Sequence, residues 1–252
     1  MQGSHCPPED CDQLDAFFQF FKLSDVEWTA VILSLKVAGV AVAVALPLAL
    51  FVAFILARYR FPGHTLLNIL VLLPLVVPPV VTGYLLLIAF GSNGVIGRFL
   101  EEQFDFSFAF QWTGAALAAG VMAFPLMVRP IRQAIEAIEL NWEKTARSLG
   151  AGRLTIFFTI ILPLTLPGIL AAVILGFAKA LGEFGATITF VSNIPGETRT
   201  LPLAIYSFLQ APGDELQLWR LTVLSIVLAI IAVVFSEVMA RRAKRFSGAR
   251  HD

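Results

Sequence analysis

The sequence is short of charge. Asp, Glu, Lys and Arg together make up 14% of its 252 residues and hydrophobic residues 58%, whereas about a quarter of a soluble domain is charged. That shortage excludes a soluble enzyme and makes the bilayer the expected solvent. The formal net charge is zero, so bulk charge offers no attraction to nucleic acid. Histidine is scarce as well. His5, His64 and His251 all fall in tails or connecting segments, which leaves no Ser/His/Asp set, and the chain has no Walker A loop and no HExxH. Neither a catalytic residue nor a metal site is therefore expected. Cysteine is limited to Cys6 and Cys11 in a polar N-terminal stretch. A C-x4-C pair without a His cluster is no zinc pattern, so the two are either incidental or close a small disulfide loop. The first 25 residues are acidic and lack a basic region followed by an apolar one, so no cleavable signal peptide is expected.

What the sequence has in quantity is long apolar stretches. A helix needs about 20 mostly apolar residues to cross a bilayer. Five stretches free of Asp, Glu, Lys and Arg approach or exceed that length: Val37 to Ala57, Leu66 to Phe90, Gln111 to Val128, Leu154 to Ala178 and Leu221 to Ser236. The first is predicted to begin earlier, because Ser24-Asp25-Val26-Glu27 reads as a capping box at a helix start. The Phe17, Phe18, Phe20 and Phe21 cluster just before it suits either a membrane interface or a flexible tail. Residues 1–24 thus read as a tail, 25–240 as a membrane domain and 241–252 as a basic tail.

Orientation follows from the distribution of Lys and Arg, since short basic loops stay in the cytoplasm. Twelve of the eighteen cations lie on one side: Arg58 and Arg60, five between Arg129 and Arg153, and five from Arg241 onward. Lys22, Arg98, Arg199 and Arg220 stand opposite, among most of the acids. The expectation is an all-α protein with about five crossings, its N-terminus outside and its C-terminus in the cytoplasm.

Two connecting segments are unusual. From Arg129 to Arg153, Ile131, Ile135, Ile138, Trp142 and Leu149 recur at helical spacing, with Gly150 placed as a C-cap. This predicts an amphipathic cytoplasmic helix, covered either by a partner or by the chain's own helices. From Gly182 to Arg220, apolar pieces alternate with polar breaks, as expected of a segment that partly re-enters the membrane. Irregular backbone there requires protein or a water-filled cavity around it. Gly182, Gly185, Thr187, Thr189 and Ser192 would let a small solute approach the backbone, or else simply let helices pack closely. Prolines at 47, 74, 78, 79, 125, 163 and 167 mark candidate kinks. Lys36 and Lys179 sit within or beside spans, where a cation either draws an anion into a path or pairs and snorkels; Glu183 lies one turn after Lys179. Glu237 and Arg241 form a further i,i+4 pair of structural character.

The stretch EKTARSLGAGRLTIFFTIILPLTLPG, Glu143 to Gly168, resembles the cytoplasmic signature of bacterial ABC-importer permeases: E-A-A, three residues, G, nine residues, I, one residue, L-P. Ala146, Gly150, Ile160, Leu162 and Pro163 are in register. Lys144 and Thr145 replace the first two positions, and Glu143 stands one place early. The stretch GEFGATITFVSNIPGETRTLPLAIY, Gly182 to Tyr206, is similar to the molybdate branch of that family, with sulfate and thiosulfate permeases as the nearer alternative.

The resemblance implies a type I importer fold in the bacterial cytoplasmic membrane. It also implies a second copy of the chain, two ATPase subunits that bind ATP and Mg, and an external oxyanion-binding protein, with no cofactor in this chain. Glu143, Lys144, Ala146, Arg147, Gly150 and Ala151 would belong to the ATPase-coupling helix. The hydroxyls and backbone N–H groups near Thr187, Thr189, Ser192 and Asn193, with Lys36, Lys179 and Glu183, are the expected substrate path. An ATPase-independent secondary carrier would show an internal repeat, and a membrane enzyme would show a titratable cluster at one depth. No repeat is visible, and only Lys36, Lys179 and Glu183 come near such a cluster.

Overall fold

The computed structural model describes residues 23–211, 213 and 215–248, and every regular element among them is helical. The first, α1 (Asp25–Arg58), starts as predicted. Glu27 N donates to Ser24 Oγ at 3.3 Å and Ser24 N to Glu27 Oε2 at 2.6 Å, which satisfies two N–H groups that a first turn leaves open. The helix continues through Pro47 and ends at Tyr59, whose backbone is extended.

The stretch from Leu66 to Phe90 is not one continuous helix. It forms α2 (His64–Val76) and α3 (Pro79–Phe90), which meet at a bend of 114°. The cause is the Pro78-Pro79 pair. Each proline drives the residue before it out of the helical region, so Val77 and Pro78 take extended ψ angles of 135° and 136°. Neither proline has an N–H to continue the ladder. The two helices pack in different parts of the core. Val71 packs in a cluster with Ala49, Leu56, Met127 and Ile131, while Leu86 packs in a second cluster with Val37, Ala41, Ala115 and Ala119.

After α4 (Val95–Phe104), the central helix is α5 (Trp112–Glu136). Its buried Ala115, Ala118, Ala119 and Ala123 let α1 and α7 approach closely, the usual means of helix association where no hydrophobic effect separates protein from lipid. α7 (Arg153–Leu181) contains a π-turn at Phe157–Ile161, in which Leu162 N donates to Phe157 O. The wider turn accommodates Pro163, which lacks an N–H and whose ring would press on the carbonyl four residues back.

The predicted amphipathic helix from Arg129 to Arg153 is two pieces. α5 carries on to Glu136, and after a break at residues 137–139 a separate helix follows, α6 (Leu140–Ser148). Ile131, Ile135 and Ile138 are buried in the chain's own core, whereas Trp142 is 58% and Leu149 82% exposed. The outer segment forms α8 (Gly185–Val191) and α9 (Leu201–Gln210), followed by α10 (Glu215–Gly248). Among the described residues four single helices, α1, α5, α7 and α10, are long and apolar enough to cross a membrane, or five where the bent α2–α3 pair counts as one span. The Phe17–Phe21 cluster, Cys6 and Cys11 lie outside the described residues, as do the side chains of Glu237 and Arg241.

Candidate functional site

The end of α6 is fixed by its own backbone. Gly150 N donates to Arg147 O and Ala151 N to Ala146 O, both at 3.0 Å, and Gly150 sits at φ +86°. This is the Schellman arrangement, which closes the last carbonyls of a helix and favours glycine at the left-handed position. A Cβ on Gly150 would meet nothing within 4 Å, so the glycine serves the backbone conformation and not packing. Ala146 and Ala151, brought together by the cap, pack on the inner cluster.

Glu143 points inward. Its Oε1 lies 2.8 Å from Arg58 Nη2 at the end of α1, and its Oε2 lies 3.9 Å from Arg147 Nη2. The Arg58 and Glu143 side chains are 11% and 12% exposed. Removing one partner of such a buried pair costs about 3–5 kcal/mol. The half-exposed Arg132–Glu136 pair nearby, at 2.7 Å, is by contrast worth about 0–1 kcal/mol. Lys144 and Arg147 are exposed, on the open side of α6 with Trp142 and Leu149.

The second region lies where α7 ends. Residues 182–184 are not helical before α8 begins. Gly176 rests against Met127 of α5, and Val191 against Gly114. Between those two levels α5 rises about 20 Å, so the unwound residues lie at a depth between the two ends of the bundle. There they meet the other break in the fold: Gly185 rests against Pro79, and a Cβ on Gly83 would come 2.5 Å from Ala186 O. Glu183, 3% exposed, is held at this break. One carboxylate oxygen pairs with Lys179, and the other accepts Ala186 N at 3.0 Å, one of the free N–H groups at the start of α8. Gly182 opens on a groove of about 620 Å³ between the end of α7, α9 and α10, lined mostly by apolar side chains such as Phe184, Tyr206 and Ala229.

The remaining predicted path residues are distributed around this break. Thr187 is 1% exposed and faces into the bundle. The Thr189 hydroxyl donates to Gly185 O at 2.9 Å. Ser192 is exposed, at φ 62° and ψ −163°, an uncommon conformation for a residue with a side chain. Asn193 is engaged at both ends of its amide: Nδ2 donates to Ser207 Oγ at 2.7 Å, and Oδ1 accepts Arg199 Nε at 3.0 Å. Lys36 stands apart, its ammonium 3.6 Å from the centre of the Trp112 ring, a cation–π contact. Sequence reasoning assigned Arg58 and Arg199 to orientation alone and passed over Ser207. Their partners are distant in sequence, and no local pattern signals the contact. Among the described residues no group of three or more His, Cys, Asp or Glu is placed to hold a metal ion.

A fold of this kind, with a short capped helix between two membrane helices and a broken segment at the opposite side, has counterparts of known class. The chain belongs to the family of binding-protein-dependent transport system inner membrane components, whose sequence model matches residues 37–245. It is thus a multi-pass inner-membrane permease component of an ABC transporter, a class that works with an ATPase and a binding protein. It is 56% identical over 226 residues to the molybdenum transport system permease protein ModB of Escherichia coli (strain K12), covering 90% of this chain and 99% of that protein. The corresponding protein of Haemophilus influenzae is 53% identical, with coverage of 88% and 97%. The sulfate transport system permease protein CysT of Salmonella typhimurium is 41% identical but matches only 64% of this chain and 58% of its own length. In fold the chain resembles a bacterial alginate ABC transporter (TM-score 0.69, 18% identity, 92% of this chain and 83% of that one). It also resembles the MetNI methionine ABC transporter (TM-score 0.67, 16% identity, 88% and 99%).

Proposed function

We propose that this chain is the permease subunit of an ATP-driven importer for molybdate, with tungstate as a companion substrate. The observation that carries the substrate is the 56% identity to a molybdenum permease along nearly the whole of both chains, against the partial match to the sulfate permease. Two copies of residues 25–240 would form the membrane domain, seated among lipid, with residues 1–24 outside and the basic 241–252 in the cytoplasm. Two ATPase subunits would bind ATP and Mg, and an external binding protein would deliver the oxyanion.

A dianion cannot enter hydrocarbon bare, because desolvation without compensation is prohibitive. The two helix breaks that meet at Pro79 and Gly185 supply backbone that is irregular at a depth between the two ends of the bundle, which is tolerated only where protein or water surrounds it. In this reading the path passes the breaks, with Thr187, Thr189, Ser192 and Asn193 on its outer part. Lys36 and Lys179 provide positive charge, that of Lys179 balanced by Glu183 in this structure. α6 docks on the ATPase through its exposed face. Closure of the nucleotide-bound ATPase pair then favours one of two membrane-domain states, the only way ATP binding can bias access.

The test is ATP hydrolysis by the complex in liposomes. Molybdate-loaded binding protein should stimulate it, tungstate should compete and sulfate should not. Stimulation by the sulfate-loaded protein alone would transfer the assignment to the sulfate class.

A further inference from the structure

We propose that the Arg58–Glu143 pair is the joint that passes movement of α6 to α1 and α2, so that Arg58 is a positioning residue for transport; this rests on the reading of α6 as the ATPase-docking helix. Among the described side chains of α6, Glu143 alone is buried, and Trp142, Lys144 and Arg147 are exposed. Among the described side chains, one carboxylate and the small contacts of Ala146 and Ala151 hold this segment to the membrane domain.

Arg58 Nη2 reaches both α6 and the break that precedes it, lying 2.8 Å from Glu143 Oε1 and 3.4 Å from Ile138 O. The joint is incompletely satisfied. Arg58 Nε is buried without a hydrogen-bond partner, and the approach to Glu143 Oε1 is close but not aligned as a hydrogen bond. Arg147 stands 3.9 Å from the other carboxylate oxygen. Glu143 thus has a buried guanidinium close to one oxygen and an exposed one farther from the other, so it has a second partner at hand when the first contact is strained, and packed elements with alternative arrangements are what carry coupling between sites.

From Arg58 the contacts continue inward. His64 Nε2, at the start of α2, is hydrogen-bonded to Leu56 O near the end of α1 at 3.0 Å. Arg132 Nη1 of α5 donates to Asn68 Oδ1 of α2 at 3.0 Å. The far end of α2 is the Pro78–Pro79 break that rests on Gly185. The joint also gives a physical reason for the displaced acid in the sequence signature. One residue earlier on a helix is a turn of about 100°, which takes the carboxylate from the open face, where Lys144 stands, to the face against α1.

The experiment compares the parent chain with Arg58→Gln and with the charge exchange R58E/E143R, each assembled with the ATPase and binding protein in liposomes. Molybdate uptake and ATP hydrolysis are measured together. Arg58→Gln should retain the ATPase and its stimulated hydrolysis, while molybdate delivered per ATP falls by about fivefold or more, the lower end of coupling between sites. The exchange should raise that ratio again, which a purely structural loss of the pair would not do. An unchanged ratio in Arg58→Gln overturns the proposal. If that variant does not assemble, the exchange decides: recovered coupling supports the joint, and failure to assemble or to couple overturns it. A parent chain that retains no ATPase refutes the docking reading itself, a result separable from either.

Discussion

At the residue scale, Gly150 is the position where conformation and function separate most cleanly. Its φ of +86° and the open space around it mean that a substituent there suffers backbone strain and no clash. A residue with a Cβ loses about 1–2 kcal/mol in the left-handed region, and asparagine less. Retention of the ATPase on purification should therefore fall in the order glycine, asparagine, alanine, valine. Equal retention in all four would mean that the cap does not shape the docking face. The spacing of the signature made this glycine legible, as did the capping box at Ser24 and Glu27, because both motifs act within one helical turn. Arg58 was not legible as the partner of Glu143, since nothing local to either residue specifies an ion pair between positions 85 residues apart.

At the scale of elements, composition located the apolar stretches but not their geometry. Absence of charge identifies residues 66–90 as membrane-compatible, yet it does not register that two consecutive prolines force two extended residues and a 114° bend. The break at 137–139 is less visible still, with no proline or glycine to announce it. Periodicity therefore ran on from α5 into α6 and joined buried isoleucines to an exposed Trp142. The alternation of apolar and polar pieces after Gly182 corresponds to two short helices, α8 and α9, joined by non-helical residues. α8 provides its test. With Thr187→Leu and Ser192→Leu combined, the complex should still assemble while uptake is lost, because bulk replaces hydroxyls beside the broken backbone. The buried Thr187 site should by itself lose about 1–3 kcal/mol from overpacking, so assembly is to be verified by retention of the ATPase. Normal uptake in the assembled double variant removes α8 from the path.

At the scale of the whole molecule, what distinguishes a subunit of an ATP-driven importer from a self-sufficient carrier is dependence on partners. α6 is consistent with dependence, because its outward face carries exposed apolar and basic groups. The most direct measurement is uptake of radiolabelled molybdate into liposomes holding the purified permease and its ATPase, with and without binding protein outside and ATP inside. Accumulation that requires both, and is insensitive to a pre-formed ion gradient, is the predicted result. Equal accumulation by the permease alone, driven by such a gradient, would contradict the account.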